Sequence, residues 1–405
     1  MKVLFITEYF PPEPNAAASR VFERARLWAA DGHAVTVITG VPNFPQGRVH
    51  AGYRNRWRQE EMLDGIRVVR LKTYIHPNRG RFRRILDQFS LLPGALLAGL
   101  RAGRPDVVVA TSPTLFAALA ACLVAMLRKL PFVLEIGDLG SASIGAVGAV
   151  RNRRLLGLVR RLEAFAYRRA TRIVVQTRRM QEEIVAAAGT TAGNVAIISN
   201  GVDVARFQTV AAGYDERLST ETFVAGYVGT LGMAQGLEVV LEAAGQLRDS
   251  DVVFRLIGDG AARPRLEARV AECGIANVRF EGPYPRDSIS AAWTAIHLAL
   301  VSLKDHPTFE TVVPSKIFEA MACGVPVLLA APQGEASALV EKHGVGTVVP
   351  PGDAGAIAAA VRRLAASPGL LREQSANARK AILQYDRADQ ARRYLAVLRT
   401  ALSET

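Results

Sequence analysis

Short apolar runs rich in β-branched residues recur along the chain, and segments of helical periodicity separate most of them. The first half contains seven such runs: "KVLFI" (2–6), "AVTVIT" (34–39), "IRVVRL" (66–71), "DVVVAT" (106–111), "FVLEIG" (132–137), "RIVVQT" (172–177) and "VAIIS" (195–199). Strands that alternate with helices are typical of parallel sheets covered by helices. The pattern therefore predicts an α/β fold.

The same pattern restarts in the second half of the chain. Six further runs follow: "FVAGYVG" (223–229), "VVFRLIG" (252–258), "VRFEG" (278–282), "LALVSL" (298–303), "VPVLLA" (325–330) and "GTVVP" (346–350). A polar, turn-rich, poorly periodic stretch (199–220) separates the two halves and is the best candidate for a linker. We therefore predict two doubly wound, Rossmann-like domains, residues 1–200 and 201–384, that face each other across a hinge near residues 200–220.

Length and composition agree with two globular domains. A chain of 405 residues exceeds one typical core, and 50% apolar with 21% charged residues excludes a disordered protein. Cys122, Cys273 and Cys323 stand singly in apolar contexts. They predict reduced core residues, with no disulfide framework or zinc site.

The chain is strongly basic, with a formal net charge of +13 and arginine clusters at 79–84, 151–161 and 167–172. Such clusters attract anionic partners: phosphates, nucleic acid or an acidic membrane face. The alternative is a soluble, arginine-rich surface. Nucleic acid is the weakest candidate because the arginine runs lack interleaved aromatic residues.

No segment predicts a membrane span. The N-terminus enters a strand at once, which leaves no room for a signal peptide. The apolar run 115–127 is shorter than the ~20 residues that a span needs, and the run 89–100 is short too and interrupted by Pro93. We expect packed helices, of which one could lie in a bilayer interface beside Arg81, Arg83 and Arg84. A cytoplasmic protein peripherally bound to the inner face of the membrane is predicted.

Candidate chemistry lies in the loops after the strands of the second half. Open α/β sheets bind ligands beyond the carboxyl ends of their strands. The loops "GTLGMAQG" (229–236) and "GDGAARPRL" (258–266) are rich in glycine, which allows close backbone approach to a ligand. Each loop taken alone is also explained by a tight turn. In "PSKIFEAMAC" (314–323), Lys316 and Glu319 share one helix face, either as a surface salt bridge or as a joint ligand site.

Six blocks in order carry a family resemblance: "YFPPEPNAAASR" (9–20), "DGHAVTVITGVPNFPQGRV" (31–49), "ISNGVDVARF" (198–207), "YVGTLGMAQGLEVVLEAA" (227–244), "LIGDGAARPRLE" (256–267) and "PSKIFEAMACGVPVL" (314–328). Together they resemble the retaining glycosyltransferases of family 4, which have the two-domain GT-B fold. Within the family the chain is most similar to the WbuB-like branch, which adds amino sugars during surface polysaccharide synthesis.

The resemblance implies that the C-terminal domain binds a nucleotide-sugar donor and the N-terminal domain an acceptor. It implies transfer with retained anomeric configuration, no metal and no further cofactor. Amides, a helix dipole and cations would then neutralise the diphosphate leaving group. A C-terminal helix, residues 385–405, is expected to pack back on the first domain.

The resemblance assigns the donor site to the second half. Glu319 matches a family glutamate that accepts hydrogen bonds from the two ribose hydroxyls, and Ser315 and Lys316 lie where the helix start would meet the diphosphate. The other implied nucleotide-binding positions are Gly229, Thr230, Gly232, Gly258, Asp259, Gly260, Tyr284, Pro285 and Thr311. Tyr284 is alternatively a loop aromatic that covers the core.

The acceptor site is assigned to the first half. Asn15, Ala16, Ala17 and Ala18 form a loop of small residues after the first strand, and Arg20 is either the family's arginine or a helix-surface charge. Asp138 matches an aspartate near the reacting sugar. A carboxylate there could orient or deprotonate the acceptor, or it could cap a helix.

The sequence departs from the family at charged positions. Thr230 and Gln235 replace an arginine and a lysine, so Lys316 and nearby amides would stabilise more of the leaving-group charge; Lys304 is a further cation or a surface lysine. Thr311 stands where the family has its first glutamate. Either Glu310 reaches the donor sugar, or main-chain amides near residues 311–313 replace that carboxylate.

The predicted catalytic residues are Asp138, Glu310 and Lys316. We expect a retaining glycosyltransferase that moves a sugar, with an N-acetylamino sugar as one candidate, from a UDP-linked donor to a lipid-linked saccharide. The expected partners are the donor, the acceptor and an anionic membrane surface, without nucleic acid. The alternatives are a transferase for a soluble acceptor and a nucleotide-sugar-binding scaffold subunit with impaired catalysis.

Overall fold

The computed structural model describes residues 1–44, 46–75, 81–112, 114–138, 153–284 and 286–404; the side chains of 81–85, 153, 155, 286 and 287 also lie outside this description. The chain forms two compact units. Unit 1 is Met1–Ser199 with Ala388–Thr405, and unit 2 is Asn200–Arg387.

Unit 1 is built on an eight-stranded sheet. Its strands are β1 (Lys2–Ile6), β2 (Ala34–Gly40), β3 (Arg58–Leu63), β4 (Ile66–Leu71), β5 (Val107–Ser112), β6 (Phe132–Ile136), β7 (Arg172–Val175) and β8 (Val195–Ile197). Their order is β3-β4-β2-β1-β5-β6-β7-β8. All pairs are parallel except β3 with β4. The inner strands β1 and β5 are buried on both faces almost throughout, as continuous apolar runs predict.

Unit 2 has a six-stranded, entirely parallel sheet. Its strands are β9 (Phe223–Val228), β10 (Val252–Ile257), β11 (Val278–Glu281), β12 (Leu298–Ser302), β13 (Val327–Ala330) and β14 (Gly346–Val349). Their order is β11-β10-β9-β12-β13-β14. The winding direction reverses between β9 and β12. The crevice for a ligand in such a sheet lies at this reversal, beyond the carboxyl ends of the strands.

Helices connect the strands and cover the sheets. In chain order they are α1 (Ala16–Ala30), α2 (Arg81–Arg101), α3 (Leu115–Arg128), α4 (Arg153–Arg169), α5 (Arg178–Ala188), α6 (Gln208–Ala212), α7 (Tyr214–Arg217), α8 (Glu238–Gly245), α9 (Arg263–Cys273), α10 (Ser315–Ala322), α11 (Glu335–His343), α12 (Ala354–Ala365), α13 (Pro368–Ala381) and α14 (Arg387–Ser403). Helix α14 packs on α1 within unit 1. There the indole of Trp28 donates a 3.1 Å hydrogen bond to the carbonyl of Ala391, and buried Tyr394 lies beside the same indole.

Each of the thirteen apolar runs predicted from the sequence forms a strand, and the α/β prediction is confirmed. Strand β3 was not predicted, because its sequence RQEEML is mostly polar. It pairs only with β4 at the sheet edge, where polar side chains reach solvent. An edge strand does not need the apolar alternation that burial imposes.

Three sequence predictions are wrong in detail. Pro93 does not interrupt its segment but lies inside α2, on the exposed side. Cys273 is exposed at the end of α9, whereas Cys122 and Cys323 are buried as predicted. The polar stretch 199–220 is folded into helical turns of unit 2, where the buried guanidinium of Arg217 donates to the carbonyls of Trp293 and Ile296 at 2.8 and 2.7 Å.

Membrane-spanning segments were also sought among the described residues. None of the helices there combines the length and the apolar character that crossing a bilayer requires.

Candidate active site

Two glycine-rich loops meet at the carboxyl edge of the unit 2 sheet. Gly258 follows β10 with φ +139°, and a Cβ atom there would lie 2.0 Å from the carbonyl oxygen of Gly229, which follows β9. Gly260 has φ +159°, and its Cβ would lie 2.4 Å from the carbonyl oxygen of Leu231. A side chain at either position would therefore force the loops apart. Glycine is required here for the packing of the loops themselves.

Hydrogen bonds fix the same two loops. The amide of Gly229 donates to the carbonyl of Ile257 and that of Leu231 to the carbonyl of Asp259, both at 2.9 Å. The Asp259 carboxylate accepts from the amide of Gly260 at 2.8 Å. Asp259 thus orders its own turn. This contact explains an acidic side chain in a loop predicted to lie near phosphate.

Helix α10 brings Lys316 to the first of these loops. The Lys316 Nζ lies 3.6 Å from the ring centroid of buried Tyr227, and 3.4 Å from the position that a Cβ of Gly229 would occupy. The Tyr227 hydroxyl donates to the carbonyl of Thr230 at 2.6 Å, which fixes the ring beneath the lysine. Three predicted donor-site residues, Gly229, Thr230 and Lys316, are therefore brought together.

The environment of Lys316 disfavours its charge. Burial lowers the pKa of Lys316 to about 7, and the carboxylate of Glu319 on the same helix opposes this shift. The ammonium faces a ring and a glycine, so its principal compensation in the protein is that carboxylate and the π-face of Tyr227. An anionic ligand beside Gly229 would stabilise the charged form.

The start of α10 has no side-chain cap. Its N-cap residue is Pro314, which has no side-chain oxygen, and Ser315 and Lys316 form the first turn. A helix N-terminus carries partial positive charge and unpaired amides, so it attracts anions. Glu319 is half-buried one turn further on. The arrangement can bind a diphosphate at the helix start and a neutral polar group beside Glu319.

The positions of Glu310 and Thr311 bear on the missing first glutamate. Glu310 ends a short 3₁₀ helix (Pro307–Glu310) and is half-buried, and Thr311 is buried with its hydroxyl donating to the carbonyl of Thr308 at 3.0 Å. A Cβ on Gly334 would lie 2.2 Å from the carbonyl oxygen of Glu310. The Glu310 backbone is thus packed against the loop after β13, which leaves little freedom to shift by one residue.

The remaining predicted donor-site residues lie around this edge. Tyr284 is half-buried against the unit 2 core and hydrogen-bonds with Arg255, whose guanidinium also pairs with Glu281. Lys304 is exposed after β12, and its stem lies 3.1 Å from the position of a Cβ on Gly236. Pro285 lies outside the described residues.

In unit 1, the predicted acceptor loop starts α1. The Asn15 side-chain oxygen accepts from the amide of Ala18 at 2.8 Å and caps the helix, while its Nδ2 is buried without a partner among the described residues. Ala16 is exposed, Ala17 half-buried and Ala18 buried. The unpaired Nδ2 is a donor that a ligand could use.

Arg20 is not a surface charge. It is buried and lies 2.9 Å from the Glu135 carboxylate, which also pairs with Arg24 at 2.5 Å. A Cβ on Gly137 would lie 2.4 Å from the Arg20 guanidinium, so Arg20 underlies the loop after β6. Asp138, half-buried, is the next residue of that loop. Arg20 therefore supports the backbone of Gly137, which precedes Asp138.

Glu135, Gly137 and Tyr227 are additional residues of these sites that the sequence did not single out. A signal for Glu135 existed, since it is the one charge inside the apolar run "FVLEIG". Nothing in the sequence marks Tyr227, because an aromatic residue in a strand normally belongs to the core. Gly140 and Ser141, which follow Asp138 closely in the chain, lie outside the described residues.

Two Rossmann-like units, one of which has a lysine beside a glycine-rich loop at its topological switch point, agree with the GT-B class of enzymes. Two family models match the chain: a "Glycosyl transferase 4-like domain" over residues 15–201 and "Glycosyl transferases group 1" over residues 215–381. The chain belongs to the family 4 glycosyltransferases and is a transferase enzyme. The predicted family, fold class and enzyme class are thereby confirmed.

Curated relatives and solved structures agree with this assignment. The chain is 28% identical over 376 residues to a protein of Escherichia coli strain K12 named as a colanic acid biosynthesis glycosyl transferase, WcaI, covering 90% of this chain and 92% of WcaI. It is 31% identical to the 2-deoxystreptamine glucosyltransferase of Streptomyces kanamyceticus over 42% of this chain and 45% of that one.

Among solved structures, sucrose-phosphate synthase from Thermosynechococcus elongatus matches with a TM-score of 0.78 at 20% identity, covering 100% of both chains. HepE of Anabaena, solved in complex with UDP and glucose, matches with a TM-score of 0.72 at 19% identity, covering 98% of this chain and 99% of that one. At these identities the likeness defines the fold.

Proposed function

We propose that the protein is a retaining glycosyltransferase of surface polysaccharide or glycolipid synthesis, which moves a sugar from a UDP-linked donor to a lipid-linked saccharide. The observation that carries the proposal is the meeting of the Gly229 loop, the Gly258 loop and Lys316 at the switch point of the unit 2 sheet. Such a site presents a cation and the uncapped start of helix α10 where a nucleotide diphosphate would lie.

In this proposal unit 2 binds the donor. The Glu319 carboxylate accepts hydrogen bonds from the ribose hydroxyls, and Lys316 with the first turn of α10 binds the diphosphate. Uridine as the base is supported by HepE, whose structures are titled with UDP and UDP-glucose. Gly229, Thr230, Gly232, Gly258 and Gly260 line the diphosphate, with Tyr284 nearer the base.

Lys316 is the principal cation for the leaving group in the proposed mechanism. As the glycosidic bond to the diphosphate breaks, negative charge develops on the leaving oxygen, and a fixed ammonium beside it lowers the barrier. Thr230 and Gln235 supply no charge, so this task falls on Lys316 and on the helix start. The proposal involves no metal ion. In this proposal Glu310 and the segment at Thr311 lie beside the donor sugar.

Unit 1 binds the acceptor in the proposal. The Asn15–Ala18 loop admits the acceptor sugar, and Asp138 orients the attacking hydroxyl or accepts its proton. Arg20 acts as a positioning residue through the Gly137 backbone. A role in surface polysaccharide synthesis is supported by WcaI, which is named for colanic acid biosynthesis. A saccharide on a lipid is supported by WaaG, a glycosyltransferase involved in lipopolysaccharide biosynthesis. The protein would then work peripherally at the cytoplasmic face of the membrane.

A thermal-shift screen tests the donor class. Ligands that bind the native state raise its melting temperature, so UDP and UDP-sugars, among them UDP-N-acetylamino sugars, should raise it more than GDP or ADP. No shift with any nucleotide would contradict the proposal. A shift confined to GDP or ADP would show that the donor carries guanine or adenine in place of uracil. NMR of the product then reports whether the anomeric configuration is retained.

A soluble acceptor is the second candidate, and the names of several relatives favour it. The chain resembles the 2-deoxystreptamine glucosyltransferase and a D-inositol 3-phosphate glycosyltransferase of Catenulispora acidiphila, the latter at 26% identity over 94% of this chain and 90% of that one. Both names describe small soluble cyclitols. Transfer to such cyclitols in a detergent-free assay, with no transfer to polyprenyl-linked saccharides, would favour this candidate.

A further inference from the structure

The outer face of α2 in unit 1 is apolar. Between residues 86 and 100, every exposed position of this helix carries an apolar side chain: Leu86, Phe89, Pro93, Leu97 and Leu100. Phe89 and Leu97 are about half exposed, at 50% and 49%. These positions are spaced by three or four residues, so they form one continuous stripe along the helix.

The opposite face of α2 already supplies the packing that the fold needs. Leu91, Ala95 and Gly99 are buried, and a Cβ on Gly99 would lie 2.6 Å from the side chain of Val124 on α3. A helix on the surface of a globular protein normally buries one such face and exposes polar residues on the other. Here both faces are apolar, so the outer stripe is not explained by the core of unit 1.

Two further exposed apolar side chains lie at the end of α3, which is joined to the end of α2. The Arg128 guanidinium donates to the carbonyls of Gly99, at 2.9 Å, and Ala102, which joins the C-terminal ends of the two helices. Immediately before it, Met126 and Leu127 are exposed by 40% and 65%. Large exposed apolar patches on soluble proteins mark contact surfaces.

Cations lie at the C-terminal end of the stripe, and the sequence has others at the start of α2. Arg101, Arg104 and Lys129 are exposed at the C-terminal ends of α2 and α3. At the other end α2 begins with Arg81, and Arg83 and Arg84 follow in its first turn. The only acidic residue of either helix is Asp87, which is half-buried. An apolar stripe with a cationic border is the pattern of a helix that lies in a bilayer interface.

We infer that the stripe of α2 with the exposed end of α3 is a docking surface for an anionic lipid bilayer. Apolar side chains would enter the boundary between headgroups and acyl chains, while Arg101, Arg104 and Lys129 meet anionic headgroups. A second copy of the chain is a poorer occupant, since the same cations would face each other across the contact. The inference deepens the proposed function, because a lipid-linked acceptor is reached from a membrane.

Flotation with lipid vesicles tests the surface. The full chain should float with vesicles of phosphatidylcholine and phosphatidylglycerol and much less with phosphatidylcholine alone. In L97Q/L100Q the bound fraction should fall by about fivefold or more, because two inserted side chains are lost. The control M62Q/L383Q replaces apolar residues that are exposed elsewhere, at 69% and 60%, and should bind like the wild type.

A charge variant and a sedimentation measurement complete the test. R101Q/R104Q/K129Q should bind anionic vesicles more weakly and with less dependence on salt. Wild-type-like flotation of L97Q/L100Q, or no flotation of the wild type, would overturn the inference. A wild-type dimer that L97Q/L100Q dissociates, without vesicle binding, would assign the stripe to a second copy instead. UDP-induced thermal shifts should be unchanged in these variants, so failure of the donor site is distinguishable from failure of the surface.

Discussion

Lys316 is the residue on which the proposed donor site depends most. The ammonium is held over the Tyr227 ring and beside Gly229, in an environment that lowers its pKa to about 7. A structural lysine is seldom placed where its charge is disfavoured, and perturbed pKa values cluster at functional sites. An anionic ligand would offset the cost of burying the charged ammonium. In the proposed donor complex the protein would therefore take up a proton at Lys316 near neutral pH.

This coupling predicts the pH dependence of UDP affinity. The free protein loses the Lys316 charge as pH rises through about 7, whereas the complex favours the ammonium, so the dissociation constant rises with pH. Between about pH 7 and about pH 8 the increase should be about fivefold, from the fall in the protonated fraction. Isothermal titration across this range measures it.

The control for this prediction is a pair of lysine variants. Lys316→Met should bind UDP more weakly and should lose the rise above pH 7, and it reports any titration of the nucleotide itself. Lys342→Met, which removes an exposed lysine of the same unit, should keep the wild-type profile. A pH profile that is the same in the wild type and in Lys316→Met would contradict the assigned role.

At the scale of elements, the contact between the loops after β9 and β10 shapes the donor site. Gly258→Ala places a Cβ 2.0 Å from the carbonyl oxygen of Gly229 and strains a φ of +139°. We expect a loss of stability of about 1–3 kcal/mol and UDP binding weakened by at least about tenfold, because the loop must move. Urea unfolding and UDP titration measure the two effects.

Gly369→Ala is the matched control, since a Cβ there meets nothing within 4 Å and the residue lies in the first turn of α13. For this variant we expect unchanged UDP binding and a stability that is unchanged or higher by up to about 1 kcal/mol, because alanine is the better helix former. If Gly258→Ala bound UDP as tightly as Gly369→Ala, the close approach of the two loops would have no part in binding.

The strands and loops differ in how well the sequence predicts them. Buried strands were predictable because parallel sheets impose continuous apolar runs, whereas edge strand β3 carries no such signal. The glycines at 229, 258 and 260 indicated the carboxyl edge of the unit 2 sheet, where they lie. Their steric reason, one loop packed on the other, depends on distances between segments far apart in the chain. The contact between Lys316 and Tyr227 could not be predicted for the same reason, because several strands and helices separate the two residues in the chain.

At the scale of the whole molecule, each unit presents polar residues at the carboxyl ends of its own strands. In unit 1 these are Asn15, the Arg20–Glu135–Arg24 cluster and Asp138, and in unit 2 they are the glycine loops and α10. Six sequence blocks predicted the family because they span both units. The roles of the individual residues remain proposals, since they depend on ligands.

The most direct test of the central claim is a titration of UDP into the wild type, Glu319→Gln and Glu341→Gln. The first variant removes the charge proposed to bind the ribose, and the second removes an exposed glutamate of the same unit. Loss of charge-assisted hydrogen bonds should weaken binding by about 10- to 100-fold in Glu319→Gln, with Glu341→Gln unchanged. Equal affinity in all three proteins, or no UDP binding by the wild type, would contradict a donor site at α10.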